Sequence, residues 1–403
     1  MRTFLLLLII QSGMAAFAQE RCASAEYYVQ QKTPGDIASK KISEAENFVQ
    51  THSSSTQTRT AGTSLVKIPV VVHVLYKDAS QAVSDAQIKS QLAVLNKDFR
   101  RKNDDAANTP ERFQSVAADV EIEFYLATAD PKGRATTGIV RKQTSIANFI
   151  TNDRIKFSSQ GGDDAWDTKS YLNIWVGNLV AGAGYSSAPG SDEVKDGIVI
   201  TNSAFGVRSG TGNFNLGRTT THEVGHWLGL KHIWGDAKCG DDGVYDTPQQ
   251  AGYTRDCPST FISTCDNGTM GDMYMNFMDY TADACMNLFT EGQKKRIHAV
   301  FAAGGPRAAI LQSKGLQEPW MQEAPVVEKG PALRVYPNPA ATEINILLNE
   351  GAKGKTVAIF NSNGSLVLTI QISSVNQKVN VSTFKSGIYF IKGEGFIERF
   401  IKL

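Results

Sequence analysis

The chain has 403 residues, with 41 Lys and Arg against 40 Asp and Glu, and 41% of its residues are hydrophobic. A net charge of +1 excludes the basic field that nucleic acid or an anionic membrane surface would attract. The length exceeds one typical domain and suits two folded units plus processed segments.

The first residues, "MRTFLLLLIIQSGMAAFAQ", combine Arg2, an apolar run from Phe4 to Ile10, and small residues before Gln19. That layout predicts a secretory signal peptide over 1–18, cut after Ala18. The apolar run is too short to span a bilayer, and no later stretch reaches transmembrane length. Export into an oxidising compartment favours disulfides among the five cysteines. Cys239, Cys257, Cys265 and Cys285 cluster, whereas Cys22 stands apart near the new N-terminus. The Gln19-Glu20-Arg21 stretch before Cys22 lacks the small residues of a lipoprotein site.

Residues 19–60 read as a propeptide, polar and closing on the Ser/Thr-rich "THSSSTQTRTAG" with Arg59, a protease-sensitive linker. Order begins at "LVKIPVVVHVLY", a β-branched run of strand length in which His73 is a packed strand residue. "SDAQIKSQLAVLNKDF" predicts a helix, opened by Ser84 and Gln87 in capping-box spacing, with Ile88, Leu92, Leu95 and Phe99 on one face. Further strands are expected at "VEIEFYLA", "YLNIWVGNL" and "DGIVIT". Between the last two, "AGAGYSSAPG" is too rich in Gly and Ser for a central strand and predicts an irregular edge strand beside a cleft.

"HEVGHWLGLKH" at 222–232 holds three of the six histidines. His222 and His226 are four apart, so a helix brings both imidazoles to one face. Gly229, lacking a Cβ, lets the chain turn sharply and return His232 towards the same point. Zinc held by three imidazoles keeps a position for water, and Glu223 lies beside it as a proton acceptor and donor. An irregular stretch over 233–288 follows, whose cysteines staple loops that lack a core of their own. Four cysteines allow three pairings, and the absence of Cys-x-x-Cys spacing argues against a structural zinc site. "FTEGQKKRIHAVFAAGG" then predicts a helix with a Thr290/Gln293 capping box, a Gly pair as its stop and His298 as a surface or packing residue.

"QEPWMQEAPVVEKGP" at 317–331 loses periodicity and marks a linker. Residues 332–403 alternate short β-rich runs, "EINILL", "TVAIFN", "LVLTIQI", "QKVNVS", "GIYFIKG" and "FIERFIKL", with Asn/Gly turns, the pattern of a small β-sandwich.

The string His-Glu-x-x-His-x-x-Gly-x-x-His, together with "HEVGHWLGLKHIWGD" and "MYMNFMDYTADACMNLFT", resembles the zinc-binding signature of the metzincin metallopeptidases, and within them the bacterial pappalysins. The resemblance spans about residues 62–315 and places the catalytic domain at 61–316. It implies an α+β fold: an α/β-like N-terminal subdomain with a mixed twisted sheet and long helices, then an irregular C-terminal subdomain across an active-site cleft. Carried over by position, Met278 matches the turn beneath the zinc, and Tyr280 matches the tyrosine that stabilises the tetrahedral intermediate. The pairs Cys239–Cys265 and Cys257–Cys285 are those the family implies. The loop "CGDDGVYDTPQQ" is implied to hold a structural calcium, with Asp242, Thr247 and Gln249 as ligands. Asp283 matches the acid that selects a basic residue after the scissile bond (P1′). Cys22 is the candidate propeptide thiol that ligates the zinc in the latent form. Substrate would lie along the edge strand at Gly184 and Tyr185. "AGAGYSSAPG" is less apolar than the family's corresponding stretch, so side-chain preferences there do not carry over.

The tail, with "RVYPNPA" and "GIYFIKGEGFIERFIKL", resembles the C-terminal sorting domain of the bacterial type IX secretion system. Together these readings give a secreted, zinc-dependent endopeptidase made as a latent zymogen. It acts on extracellular proteins and reaches the medium or outer cell surface of a Gram-negative bacterium through the periplasm and the type IX machinery. The competing class is an inactive secreted binding protein or adhesin on a protease fold, which predicts a lost ligand or carboxylate; none is lost here.

Overall fold

A computed structural model describes residues 21–31, 36–54, 65–180, 182–210, 212–321, 334–348, 353–394 and 396–403. The signal-peptide reading lies outside the described residues, as do most of the two linker readings. The chain divides into two compact units, residues 1–321 and 322–403.

The first unit opens with two helices, α1 (Ser24–Gln31) and α2 (Ile37–Ser54), in the segment read from sequence only as polar propeptide. The strand β1 (Val66–Tyr76) follows, then α3 (Asp85–Phe99) and the short α4 (Glu111–Gln114). Next come β2 (Ile122–Leu126), β3 (Ile139–Gln143), β4 (Leu172–Gly177), β5 (Gly184–Ser186) and β6 (Ile198–Thr201). Two helices, α5 (Arg218–Trp227) and α6 (Glu291–Ala299), complete the unit.

The sheet runs β2-β1-β4-β6-β5, with β3 continuing beside the second half of β1. All neighbours are parallel except β5, which pairs antiparallel with β6 and forms an edge. A parallel sheet covered on both faces needs apolar residues at successive positions, and Val70, Val71, Val72 and Val74 of β1 are all buried. Odd and even positions serve different layers. Val70, Val72, Ile174 and Ile200 face the main core with α3 and α5, while Leu75, Trp175, Tyr185 and Val199 face a smaller aromatic cluster on the opposite side.

Two sequence expectations are corrected in detail. Ser84 does accept from Gln87 N, but the Gln87 amide donates to the Phe205 carbonyl at 2.6 Å instead of closing a capping box. The second box, Thr290 with Gln293, is complete, yet α6 ends at Ala299, well before the Gly304-Gly305 pair. Val300 and Phe301 are drawn into the core there, and Arg307 N bonds the Val300 carbonyl, so packing ends the helix before glycine does. The strand β3, set among polar residues, was not anticipated.

Between α5 and α6 the described chain holds only turns and a single 3₁₀ turn at Asp283–Cys285. Disulfides Cys239–Cys265 and Cys257–Cys285 staple it, closing loops of 26 and 28 residues. In the chain-entropy account each removes roughly 3.5 kcal/mol of unfolded-state freedom.

The second unit contains β7 (Arg334–Tyr336), β8 (Glu343–Leu347), β9 (Thr356–Asn361), β10 (Leu366–Gln371), β11 (Asn376–Asn380), β12 (Gly387–Gly393) and β13 (Phe396–Lys402). They form a four-stranded sheet, β10-β9-β12-β13, and a three-stranded one, β11-β8-β7. Alternate residues of both sheets, among them Ile344, Ile346, Ile359, Ile391 and Phe400, share one core. The sandwich has one strand, β7, beyond the six runs visible in the sequence.

Candidate active site

The helix α5 is buried along its whole length and carries His222, Glu223 and His226. Gly225, between them, is bare for a reason: a Cβ there would lie 2.5 Å from Met278 Sδ, so only glycine lets Met278 pack under the helix. Met278 is fully buried in a turn closed by the Asp279 N to Asn276 carbonyl bond, and its own N–H bonds Asn276 Oδ1. After α5 the chain turns at Gly229, whose φ of +90° is left-handed, and His232 comes back beside the helix.

The three imidazoles converge. His226 Nε2 lies 3.1 Å from His222 Nε2 and 3.1 Å from His232 Nε2. Each Nδ1 faces an acceptor: the Phe277 carbonyl at 2.7 Å for His222, the Leu230 carbonyl at 2.9 Å for His226, and the Asp236 carboxylate for His232. A proton on every Nδ1 leaves three Nε2 lone pairs pointing at one another. Burial holds His222 well below its ordinary pKa and brings His226 to about 3, so neither of these two rings takes up a proton to relieve the repulsion. A divalent cation does, and the donor set fits zinc, with Nδ1–H partners of the kind that orient metal-bound histidines.

The fourth group at this point is Cys22. Its sulfur and the three imidazole nitrogens all lie within 4.8 Å of one another, and among the described residues this is where three or more potential ligands gather. Cys22 is buried and unpaired. Burial, then the Glu223 charge, pushes its thiol well above its ordinary value.

Residues 21–24 cross the site between β5 and the turn bearing Tyr280. Cys22 forms a parallel bridge with Gly184, and Ala23 N donates to the Gly184 carbonyl at 2.9 Å. On the other side, Tyr280 Oη donates to the Cys22 carbonyl at 3.1 Å. Ser24 Oγ donates to Glu223 Oε2 at 2.9 Å and accepts from Ser186 N at 2.9 Å. The other Glu223 oxygen, Oε1, is buried without a hydrogen-bond partner. Burial raises the Glu223 carboxyl to about 8, against the lowering effects of Cys22, Ser24 and Arg21.

Asp283 is fully buried. Its Oδ1 accepts from Arg21 Nη2 at 2.8 Å, while Oδ2 accepts from Leu216 N at 2.8 Å and Arg218 N at 3.2 Å, at the start of α5. The sequence reading placed Asp283 at the site but did not anticipate its partner Arg21. Nor did it anticipate Ser24 on Glu223, or Asp236 behind His232. Only Asp236 left a signal, four residues beyond His232 in "HIWGD".

The calcium candidates divide. Asp242 is buried and Thr247 Oγ1 donates to both its carboxylate oxygens, at 2.9 and 3.0 Å. Gln249 is exposed, and its carbonyl accepts from Asn267 Nδ2. On the edge strand, Gly184 presents its backbone to the site, whereas the Tyr185 side chain is buried on the opposite face of the sheet. His73 is buried, bonded to Asp163 and Asn173; His298 is half-buried and bonds the Val120 carbonyl.

Residues 156–302 match the family model described as pregnancy-associated plasma protein-A, a peptidase family, and residues 334–398 match a secretion system C-terminal sorting domain. Among solved structures, mature mirolysin of Tannerella forsythia in complex with a cleaved peptide is 48% identical, covering 62% of this chain and 97% of that one, with a TM-score of 0.61. A promirolysin mutant of the same organism is 43% identical, covering 72% and 97%, with a TM-score of 0.66. An extracellular metalloprotease of Verticillium alfalfae is 32% identical over 245 residues, 58% of this chain and 75% of the relative.

Proposed function

Since the chain belongs to the pappalysin family of metzincin metallopeptidases, a secreted zinc-dependent endopeptidase made as a latent zymogen, we propose that His222, His226 and His232 hold its zinc and that Glu223 handles the protons of peptide hydrolysis. The observation that carries this reading is the meeting of three imidazole Nε2 atoms and the Cys22 sulfur beside a buried carboxylate. Zinc, when bound there, supplies a Lewis acid that polarises the scissile carbonyl and makes a water acidic enough to attack.

The chain's own residues do the rest. The Gly184 backbone, bonded to the prosegment in the latent form, pairs with an extended substrate after the prosegment leaves. With the prosegment gone, the Glu223 carboxylate, relieved of the burial that raises it in the latent form, takes the attacking water's proton and gives it to the departing amine nitrogen. Tyr280, a phenol protonated at neutral pH, donates its Oη–H to the developing oxyanion from the place where it now meets the Cys22 carbonyl. Met278 packs beneath α5 and fixes the height of the ligand helix.

Latency follows from the same atoms. Cys22 is the zinc ligand of the zymogen, Ser24 occupies Glu223, and Arg21 fills the pocket ending at Asp283. The buried Arg21–Asp283 pair supports a preference for a basic P1′ residue. Maturation cleavage falls between α2 and β1, the catalytic domain ends near residue 316, and the sorting domain begins near 332. For calcium we assign Asp242, Thr247 and Gln249, with the contact between the first two as support.

Glu223→Ala tests the core of the reading. Turnover of a peptide substrate falls by roughly 10²–10⁴-fold while zinc, measured by elemental analysis, stays at one per chain. Undiminished turnover in the zinc-loaded variant overturns the assignment.

A further inference from the structure

Tyr27, in the same latency segment, is buried to 2% exposure in a pocket that the reaction described above does not use. Its phenol oxygen lies 2.8 and 3.0 Å from the Asp153 carboxylate oxygens and accepts from Lys156 Nζ at 3.1 Å. Its ring centroid is 4.8 Å from that of Tyr185, and Phe149 and Leu179 belong to the same cluster.

The pocket's floor is built without Tyr27. Lys156 and Asp153 pair at 3.0 Å, Lys156 Nζ also donates to the Lys195 carbonyl at 2.8 Å, and its ammonium sits 5.0 Å over the Tyr185 ring. Lys156 N bonds the Asp153 carbonyl at 2.8 Å, fixing the turn that presents both charges. All these partners lie in the part of the chain that remains when the prosegment is removed. The cavity then left has an aromatic wall, a carboxylate acceptor and an ammonium donor at its end. That combination matches one side chain, a phenol, which donates to Asp153 and accepts from Lys156.

Its place relative to the reaction follows from the order of the latency segment. Arg21 meets Asp283, Cys22 meets the histidines, Ala23 and Ser24 bond to Gly184 and Ser186, and Tyr27, in the first turn of α1, comes last beside Tyr185 of the same edge strand. The pocket therefore lies past the histidines from Asp283. A peptide added to an edge strand sends alternate side chains to either face of the sheet, and one of them reaches the Tyr185 face.

We propose that Asp153, Lys156 and Tyr185 form a specificity pocket for a tyrosine side chain upstream of the scissile bond, which Tyr27 fills in the zymogen. The pocket's position upstream of the cut rests on the reading of Asp283 as the pocket for the residue after the cut; the phenol preference does not.

The test uses the mature enzyme and peptides carrying Tyr, Phe, O-methyltyrosine or Ala at each position around a single cleavage site, with both Arg and Ala after the cut. At one upstream position Tyr exceeds Phe and O-methyltyrosine by about tenfold in kcat/KM, mostly through KM, since a polar pocket discriminates against analogues that cannot complete its hydrogen bonds. Asp153→Asn, whose side chain tolerates the left-handed backbone at that position (φ 62°), brings the Tyr to Phe ratio near one. The ratio is taken on a single preparation, so the active fraction cancels. Equal use of Tyr and Phe at every upstream position overturns the proposal, as does a ratio unchanged in Asp153→Asn. If that variant does not fold, the wild-type contrast between Tyr and O-methyltyrosine decides alone. Sequencing the new N-termini reports the residue after the cut separately, so loss of the basic preference refutes the Asp283 reading without touching the phenol result.

Discussion

Arg21 and Asp283 are 262 positions apart in sequence, and both side chains are essentially sealed from solvent. Breaking one side of such a pair leaves a buried charge and costs about 3–5 kcal/mol. Here the loss is smaller, because Leu216 N and Arg218 N continue to satisfy Asp283 Oδ2. Arg21→Ala is expected to leave the mature enzyme intact and to loosen the prosegment, giving zymogen with at least about tenfold more activity on a small peptide, while Arg21→Lys gives an intermediate value. A silent Arg21→Ala zymogen would show that the ion pair does not maintain latency. At this scale the sequence exposes what periodicity and backbone freedom dictate. His222 and His226 share a helix face and Gly229 permits the return to His232, so their meeting is written in eleven consecutive residues. The Phe277 carbonyl behind His222, Ser24 on Glu223 and Arg21 on Asp283 are long-range contacts, and no local pattern encodes them.

Among the elements, α2 departs most from its reading. Its polar composition suggested only a propeptide, yet Ile42, Ala45 and Val49 follow helical spacing and are all buried. The helix packs against α6 and the outside of the Gly229 turn. A Cβ on Gly229 would lie 4.0 Å from Val49 Cγ1, Glu46 meets Arg296 at 2.6 Å, and Arg296 Nε donates to the Gly229 carbonyl at 2.8 Å. Thus α2 braces the turn that delivers His232 from a face away from the three converging imidazoles, while residues 21–24 fill the site itself. Val49→Ala with Glu46→Ala removes both kinds of contact, for which we expect a loss of about 2–3 kcal/mol and a zymogen Tm lower by several degrees. On the proposed cleavage between α2 and β1 the mature enzyme lacks both residues and keeps its Tm. An unshifted zymogen Tm in the double variant would mean that α2 lies on the surface without bracing it. The incomplete box at Ser84 and the early end of α6 teach a related lesson: Gln87 and Val300 have tertiary partners that outweigh the local motif.

Across the whole molecule, the order of signals along the chain matches a secreted, surface-directed peptidase, with a sorting domain at the C-terminal end. That order was legible because each unit has its own periodicity: long apolar strands and helices in the first, short alternating strands in the second. The sparse regular structure around the site, expected from the irregular stretch over 233–288, is what the structure shows between α5 and α6. From α5 to α6 the loops pack Met275, Phe277, Met278 and Leu288 into the main core and are closed by two disulfides, so the first unit gains stability in an oxidising compartment. The second unit has a core of its own, from Ala340 to Phe400, which shares no residue with the cores of the first. Deleting residues 332–403 is therefore expected to leave a folded, disulfide-bonded first unit with its Tm unchanged within about 2 °C, since independent cores contribute independently. The same deletion should stop export: zymogen accumulates in the periplasm and peptidase activity in the medium falls to background. Fractionation of cells expressing the truncated chain reads both outcomes. A truncated chain that still reaches the medium would remove the sorting role from the second unit, and one that unfolds in the periplasm would make that unit part of the enzyme's fold.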